Sequence, residues 1–202
     1  IAIMDEIEET AKRIGAVNTV VRDGKGWKGY NTDCMGALKA LEEHIDLNGK
    51  NVLIIGAGGT AKAIGYGVCE KGAKITVTYN RNKEKGVQLA KELGAKVIHI
   101  QDVGEEAIDI LINCSPVGMS PNLEETPISS RHLRKGMVVF DSVYNPPETR
   151  LIREAKAAGC VVISGIELFV NQAVGQFELW TKQKAPIDSM RDVVVRGLNN
   201  KT

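Results

Sequence analysis

The sequence has 202 residues, 43% of them apolar, which is enough chain to bury a substantial core. Its 26 basic and 25 acidic residues nearly balance, and only 4% of the residues are aromatic. This composition excludes the basic surface and the stacking side chains of a nucleic-acid-binding protein, and it gives no attraction to an anionic membrane. No signal-peptide pattern and no apolar run of membrane-spanning length are visible, so we expect a cytoplasmic protein with no membrane partner.

The metal- and redox-active residue types are scattered. The four cysteines are Cys34, Cys69, Cys114 and Cys160, and the three histidines are His44, His99 and His132. No two cysteines have the spacing of a metal or redox pair, so we expect them to be reduced and to pack as small apolar side chains. The histidines lack the spacing of ligands, and we expect no metal site.

In chain order, the first patterns are a helix over residues 1–14, a strand over 16–21, a turn at 23–26 and a helix over 32–44. Six short β-branched runs follow, at residues 51–55, 74–79, 96–100, 109–113, 137–141 and 161–164. Helical patterns separate several of these runs, at residues 60–70, 83–93 and 151–158. Strands that alternate with helices, and that are almost continuously apolar, predict an α/β fold with a doubly wound, Rossmann-like parallel sheet.

The two ends of the chain depart from this alternation. Two further helices are predicted over residues 168–180 and 188–198. We therefore predict a nucleotide-binding domain over residues 48–165, inserted between two pieces of a second α/β domain that binds substrate. Residues 1–47 form the first piece, with a hinge helix, and residues 166–202 return to it. These pieces are too short to close a core, so the second domain is present only as a remnant.

A glycine-rich loop lies directly between the strand at residues 51–55 and the next helix. Gly56 permits a tight turn, Gly58 lets the backbone approach a diphosphate, and the helix directs its free N–H groups at the anion. The simpler interpretation is a turn that serves only sheet geometry, but the strand–turn–helix context favours dinucleotide binding. The predicted diphosphate residues are Gly56, Ala57, Gly58, Gly59 and Thr60.

The residues after the second strand of this domain indicate which dinucleotide binds. An NAD site usually has an acid there for the ribose 2′-hydroxyl, whereas this chain has Arg81, with Lys85 one helical turn later. Both could hold a 2′-phosphate. A solvated basic helix start is the alternative, but cations there oppose the helix dipole, so we predict NADP(H). The predicted cluster is Asn80, Arg81, Asn82, Lys83, Glu84 and Lys85.

Asn31, Thr32 and Asp33 open a helix, and from this stretch alone an N-cap is the natural interpretation. A wider resemblance adds a second interpretation. Seven motifs stand in the order found in the shikimate dehydrogenase (shikimate/quinate dehydrogenase) family, over about residues 10 to 180. They are AVNTV, GYNTD, GAGGTAKA, YNRNKEK, NCSPVGM, DSVYNP and GIELFVNQA. The resemblance implies reversible hydride transfer between NADPH and the C3 carbonyl of 3-dehydroshikimate, a step of the chorismate pathway of aromatic amino acid biosynthesis.

The same resemblance implies roles for individual residues. Asp33 matches an aspartate that pairs with a lysine around the reacting oxygen, Asn18 and Gln172 match ligands of substrate hydroxyls, and Tyr144 matches a substrate contact near the nicotinamide. The implied residues on the ribose and nicotinamide side of the cofactor are Ser115, Val117, Met119, Ser142, Gly165 and Leu168. A ketone reduced by hydride needs a proton donor for its developing alkoxide, and an aspartate–lysine pair supplies one.

The resemblance also has gaps. The family's lysine lies in an NxTxPxK-type stretch before the first helix, after a Ser-x-Ser motif, and neither motif occurs here. Leu168 and Ser142 stand where methionine is frequent. We therefore expect an N-terminally truncated chain that, taken alone, binds NADP but turns over poorly.

Three alternatives stay open at this stage. The first is a quinate/shikimate dehydrogenase of broader specificity, and the second is a non-catalytic NADP-binding fragment. The third is a relative of the methylene-tetrahydrofolate or glutamyl-tRNA reductases, which would share the glycine loop but lack GYNTD and Gln172. In each case the partner is a small molecule, and we expect a monomer or a homodimer.

Overall fold

The computed structural model describes residues 4–24, 26–104 and 107–199, which form two β-sheets and their covering helices. The strands are β1 (Glu6–Ile7), β2 (Thr19–Asp23), β3 (Gly26–Tyr30), β4 (Asn51–Ile55), β5 (Lys74–Tyr79), β6 (Lys96–His99), β7 (Ile110–Asn113), β8 (Val138–Asp141) and β9 (Val161–Ile163). The α-helices are α1 (Glu9–Ile14), α2 (Thr32–Glu42), α3 (Gly59–Glu70), α4 (Lys83–Leu93), α5 (Arg150–Ala157), α6 (Gly165–Thr181) and α7 (Ile187–Asn199). Two short 3-10 helices cover Ile100–Asp102 and Ser130–His132.

The larger sheet has six strands in the order β6-β5-β4-β7-β8-β9, and every neighbouring pair is parallel. From β4, the next two strands, β5 and β6, are added on one side. The chain then crosses back, and β7, β8 and β9 are added in turn on the other side of β4. A crevice therefore opens at the carboxyl ends of β4 and β7, which is where ligands bind in sheets of this kind. The predicted doubly wound parallel sheet is confirmed.

Strand β4 shows why the sheet is stable. Val52 and Ile54 face one apolar core, together with Ile64 of α3, whereas Leu53 and Ile55 face a second core on the other side of the sheet. All four strand residues are almost fully buried. Because both faces are covered, these strands carry continuous apolar runs rather than an alternating pattern, and this made them recognisable from sequence.

The smaller sheet has the order β1-β3-β2, with β1 parallel and β2 antiparallel to β3. The prediction of a helix over residues 1–14 was wrong in part: Glu6–Ile7 is a strand, and the helix begins only after Glu8, whose side chain accepts a hydrogen bond from the Ala11 amide. Residues 1–3 lie outside the described residues. Strand β3 was not predicted because its two glycines interrupt the alternation of apolar and polar residues that marks a strand. Gly29 is needed for close packing, since a Cβ there would lie 2.9 Å from a methyl carbon of Val17.

Element ends differ from the predictions by a few residues. The strand predicted over 16–21 runs instead over Thr19–Asp23, because its ladder starts where Thr19 pairs with Tyr30. Helix α6 begins three residues before its predicted start. No helix in the described part of the chain is long and apolar enough to cross a membrane. The division into residues 1–47, 48–165 and 166–202 stays a prediction.

Candidate active site

A cavity of about 320 Å³ lies at the carboxyl edge of the large sheet, between the first turns of α2 and α3, helix α6 and the loop after β8. Its lining residues are Asn18, Asp33, Thr60, Ser142, Tyr144, Gly165, Leu168, Phe169, Gln172 and Gln176. All of them except Phe169 and Gln176 were predicted as site residues. These two share a face of α6 with Gln172, at helical spacings of three and four residues, and that spacing could have revealed them.

The structure separates the two interpretations of the Asn31–Asp33 stretch. Asn31 is the N-cap of α2: its backbone is extended, and its side-chain oxygen accepts a hydrogen bond of 3.2 Å from the Cys34 amide. Asp33 is the second residue of the helix and is half-buried at the cavity wall. Because Asn31 performs the capping, the Asp33 carboxylate is available to the cavity.

Asn18 is held in a fixed orientation beside Asp33. Its side-chain oxygen accepts hydrogen bonds of 2.9 Å from the Thr32 amide and 2.8 Å from the Thr19 hydroxyl. The amide nitrogen of Asn18 is thereby left for Asp33, and the Asn18 side chain lowers the pKa of that carboxyl.

Burial raises the pKa of the Asp33 carboxyl, and the hydrogen bond from Asn18 opposes that rise. Among the described residues, the cavity lining includes no lysine or arginine. Within the described residues, the charge of Asp33 is therefore stabilised by the Asn18 amide rather than by a cation.

Helices α2 and α6 approach each other closely through glycine. A Cβ on Gly36 would lie 2.8 Å from the backbone nitrogen of Gln172, and one on Gly175 would lie 3.3 Å from the Thr32 methyl carbon. These two glycines bring the N-terminal turn of α2 against the middle of α6. Asp33 and Gln172 consequently line the same cavity from opposite helices.

Two aromatic rings form another part of the wall. The rings of Tyr144 and Phe169 stack with their centroids 4.9 Å apart. The Gln172 side-chain nitrogen donates a hydrogen bond of 3.1 Å to the carbonyl oxygen of Phe169, one turn back along α6. Tyr144 and Gln172, both predicted as substrate contacts, are therefore each held by the same residue of α6.

The glycine-rich loop has the form that a diphosphate requires. Gly56 has a φ of +107°, and a Cβ there would lie 3.1 Å from the carbonyl carbon and oxygen of Cys114, so only glycine fits without strain. Gly58 is the N-cap of α3 and provides no side-chain cap, and a Cβ on Gly58 or Gly59 would meet nothing within 4 Å. Free N–H groups at a helix start, beneath open space, fit an anionic ligand.

The residues predicted for the 2′-phosphate, 80–85, are exposed at the end of β5. Asn82 caps α4 by accepting a hydrogen bond of 2.9 Å from the Lys85 amide, and Glu84 in the first turn complements the helix dipole. None of the ion pairs within residues 4–24, 26–104 and 107–199 includes Arg81, Lys83 or Lys85.

Lys85 also lines a second cavity, of about 260 Å³, with Ala57, Gly58 and Gly59. The structure thus brings one cation of the basic cluster to the glycine loop. Lys62 and Glu92 also line this cavity and form an ion pair with each other, so Lys85 gives its lining a net positive charge, which suits a phosphate group.

The remaining predicted cofactor residues lie beside the first cavity. Ser142 and Gly165 line it, with Gly165 so close to the Val143 carbonyl group that a Cβ would overlap that group. Ser115, Val117 and Met119 lie in the loop after β7 and do not line this cavity. In the described part of the chain, no group of three or more His, Cys, Asp or Glu side chains could hold a metal ion.

The fold and the two adjoining cavities define a dinucleotide-dependent oxidoreductase with a Rossmann-type domain. The family model described as "Shikimate / quinate 5-dehydrogenase" matches residues 37–145, and the "Shikimate 5'-dehydrogenase C-terminal domain" model matches residues 165–195. The chain belongs to the shikimate/quinate dehydrogenase family.

Individual relatives agree with this assignment. The shikimate dehydrogenase (NADP(+)) of Methanothermobacter thermautotrophicus is 41% identical over 205 residues, a match that covers 97% of this chain and 72% of the relative. The bifunctional 3-dehydroquinate dehydratase/shikimate dehydrogenase of Arabidopsis thaliana is 44% identical over 202 residues, covering 90% of this chain and 33% of the relative. A crystal structure of a shikimate dehydrogenase in complex with NADP+ is 37% identical and superposes with a TM-score of 0.90, covering 96% of this chain and 71% of the other.

Proposed function

We propose that the protein reversibly reduces 3-dehydroshikimate to shikimate with NADPH. One observation carries this proposal: Asn18, Asp33 and Gln172 converge on a single cavity that adjoins the open glycine loop at the switch point of the sheet. A site that combines neutral amides with one carboxylate suits a polyhydroxylated substrate, because amides bind hydroxyl groups without leaving an unpaired buried charge.

NADPH supplies the hydride that is added to the substrate carbonyl carbon, and a proton must then reach the carbonyl oxygen. We assign Asp33 to that proton transfer, because its carboxyl is half-buried and its pKa is raised by burial. The family resemblance adds a lysine that pairs with Asp33, from a stretch that precedes the first helix in the family. Asp33 would hold that lysine charged beside the developing alkoxide.

The substrate contacts divide by position in the cavity. Asn18, oriented by Thr19 and Thr32, offers its amide on the α2 side, and Gln172 offers its amide on the α6 side. Tyr144, stacked on Phe169, lines the same cavity. We assign these three residues to substrate binding.

The cofactor contacts follow the two cavities. The N–H groups at the start of α3 hold the diphosphate, with Gly58 and Gly59 leaving space for it. Arg81 and Lys85 hold the 2′-phosphate, which gives the preference for NADP(H) over NAD(H). Leu168 and Ser142 face the nicotinamide, with Ser115, Val117 and Met119 in the neighbouring loop. We further propose a cytoplasmic monomer or homodimer that acts in aromatic amino acid biosynthesis.

A steady-state assay of the protein that carries this sequence tests the proposal, with NADPH formation from shikimate as the readout. Asp33→Asn should lower kcat by about 10²- to 10⁴-fold, the usual contribution of a general acid–base group, while leaving NADP+ binding unchanged. Asp109→Asn, at the opposite edge of the sheet, is the matched control and should retain activity. Turnover that survives Asp33→Asn would contradict the proposed role, and equal turnover of quinate with NAD+ would identify the broader-specificity enzyme instead.

A further inference from the structure

Asp141 is a fully buried carboxylate to which the reaction assigns no part. It is the last residue of β8, has no exposed surface and stands opposite Asn113 in the β7–β8 ladder. None of the ion pairs formed within the described ranges includes it. Burying an acid without a cation is costly, so its hydrogen bonds must offset the lost hydration.

Three neutral donors surround the Asp141 carboxylate. One oxygen accepts hydrogen bonds of 2.9 Å from the Asn113 side-chain nitrogen and 3.1 Å from the Val143 amide, and the other accepts one of 2.6 Å from the Thr149 hydroxyl. Burial raises the pKa of Asp141, and these three donors oppose the rise. An amide in place of the carboxylate would put an N–H group against the Asn113 and Val143 N–H donors, or would require the Thr149 hydroxyl to accept a hydrogen bond instead of donating one.

The first consequence is that the side chain of Asn113 can adopt only one orientation. With its nitrogen directed at Asp141 and at the Val117 carbonyl (3.3 Å), its oxygen accepts hydrogen bonds from the backbone amide (3.0 Å) and the hydroxyl (2.7 Å) of Ser115. The Val117 amide in turn donates to the Ser115 hydroxyl at 3.4 Å. Asp141 thus fixes the loop that carries Ser115 and Val117.

The second consequence concerns the loop after β8. Asp141 holds Val143 at one end of this loop and Thr149 at the other, and Thr149 also caps α5 by accepting a hydrogen bond from the Ile152 amide. Ser142 and Tyr144 flank Val143, whose carbonyl group contacts the backbone at Gly165, where α6 begins. One carboxylate therefore joins two loops and the starts of two helices.

We propose that Asp141 is a positioning residue for the nicotinamide half of the cofactor, acting through Asn113 and Thr149 on the loops after β7 and β8. The inference rests on the proposed NADP-binding function and adds a division of labour to it. We assign the adenosine half to Gly58, Gly59 and residues 80–85, which none of these hydrogen bonds reaches; the loop after β7 packs against Gly56, at the start of the glycine loop. Loss of Asp141 should consequently weaken the binding of whole NADP+ but not that of its adenosine half.

Calorimetric titration with two ligands tests this division. NADP+ carries both halves, whereas 2′,5′-ADP carries the adenosine and the 2′-phosphate without the nicotinamide. For Asp141→Asn, we expect the Kd for NADP+ to rise about tenfold or more, with the Kd for 2′,5′-ADP within about twofold of that of the unaltered protein. The matched control is Asp109→Asn: Asp109 also joins two strands, through hydrogen bonds from Asn51, but at the opposite edge of the sheet, and both Kd values should be unchanged.

A second pair of variants covers the case in which Asp141→Asn fails to fold. Thr149→Val removes the hydroxyl donor at nearly constant volume and should weaken the binding of NADP+ but not that of 2′,5′-ADP. Thr149→Ser retains the hydroxyl and should bind NADP+ as the unaltered protein does. A parallel loss of NADP+ and 2′,5′-ADP binding, or unchanged NADP+ binding, would overturn the proposal. If the unaltered protein binds neither ligand, the proposed cofactor function itself fails, which is a separate result.

Discussion

The open space above Gly58 allows a substitution that stabilises the fold while removing the function. Gly58 is the N-cap of α3, its backbone is in an ordinary extended conformation, and an added Cβ would meet nothing within 4 Å. In Gly58→Asp, the carboxylate can accept a hydrogen bond from the free N–H groups of the first helical turn. Relative to a glycine cap, an aspartate cap contributes only about a few tenths of a kcal/mol, and the favourable interaction with the helix dipole adds about 0.3–1 kcal/mol.

The same carboxylate would occupy the place that we assign to the diphosphate. A unit charge about 4 Å from a phosphate, at an effective dielectric constant of about 20, costs about 4 kcal/mol, which is about a thousandfold in Kd. Salt screening lowers this value, so we expect NADP+ binding to weaken by at least about a hundredfold. The melting temperature should rise, by about 2–4 °C for each kcal/mol in a chain of this size.

Differential scanning calorimetry and isothermal titration of the same samples measure both effects. The control is Ser129→Asp, which adds one negative charge at an exposed N-cap that lines neither cavity and should leave NADP+ affinity unchanged. If Gly58→Asp binds NADP+ as tightly as the unaltered protein, the assignment of the diphosphate to the start of α3 is wrong. A large fall in melting temperature would instead refute the inference that the position is sterically free.

Gly56→Ala should lower the unfolding free energy by about 1–3 kcal/mol, because the φ of +107° at this position and the close Cys114 carbonyl group both oppose a side chain. Chemical denaturation measures this change, and an unchanged unfolding free energy would contradict the prediction. Arg81→Ala combined with Lys85→Ala should weaken NADP+ binding by about 10- to 100-fold, because charge-assisted hydrogen bonds to the 2′-phosphate are lost. NAD+ binding should be unchanged. If titrations show that both cofactors lose affinity equally, the 2′-phosphate binds elsewhere. Because the pKa of Asp33 is raised in the folded protein, its contribution to stability is present below the pKa of the unfolded chain and is lost as pH rises through the folded pKa. Asp33→Asn should therefore gain stability relative to the unaltered protein as pH rises from about 3 to 7, and a difference in unfolding free energy that stays constant with pH would exclude the raised pKa.

Sequence reasoning was most accurate where one physical constraint dominates. The strands β4 and β5 were predicted with their observed ends, since both faces of the sheet are covered and the apolar run stops where burial stops. The glycine loop was recognisable because Gly56 needs a backbone conformation that other residues avoid. The family, the parallel sheet and the NADP dependence are confirmed, whereas the roles of the individual site residues stay predictions.

Features that depend on distant parts of the chain were not predictable. Strand β1 pairs with β3 across 22 residues, and neither has an apolar pattern of its own. In the sequence, Phe169 is one more apolar residue of a predicted helix, and only the structure shows that its ring stacks on Tyr144. Asp141 reads as the end of a strand, and only the parallel register that places Asn113 opposite shows why a buried acid is needed there.

The proposed function depends on hydride transfer between shikimate and NADP+. Its most direct test is to incubate the protein that carries this sequence with limiting shikimate and to quantify NADPH and 3-dehydroshikimate together. We expect the two products to form in equal amounts with NADP+, and far more slowly when NAD+ replaces it. Bound NADP+ that is never reduced in the presence of shikimate, or reduction of NAD+ at the same rate, would contradict the proposed function.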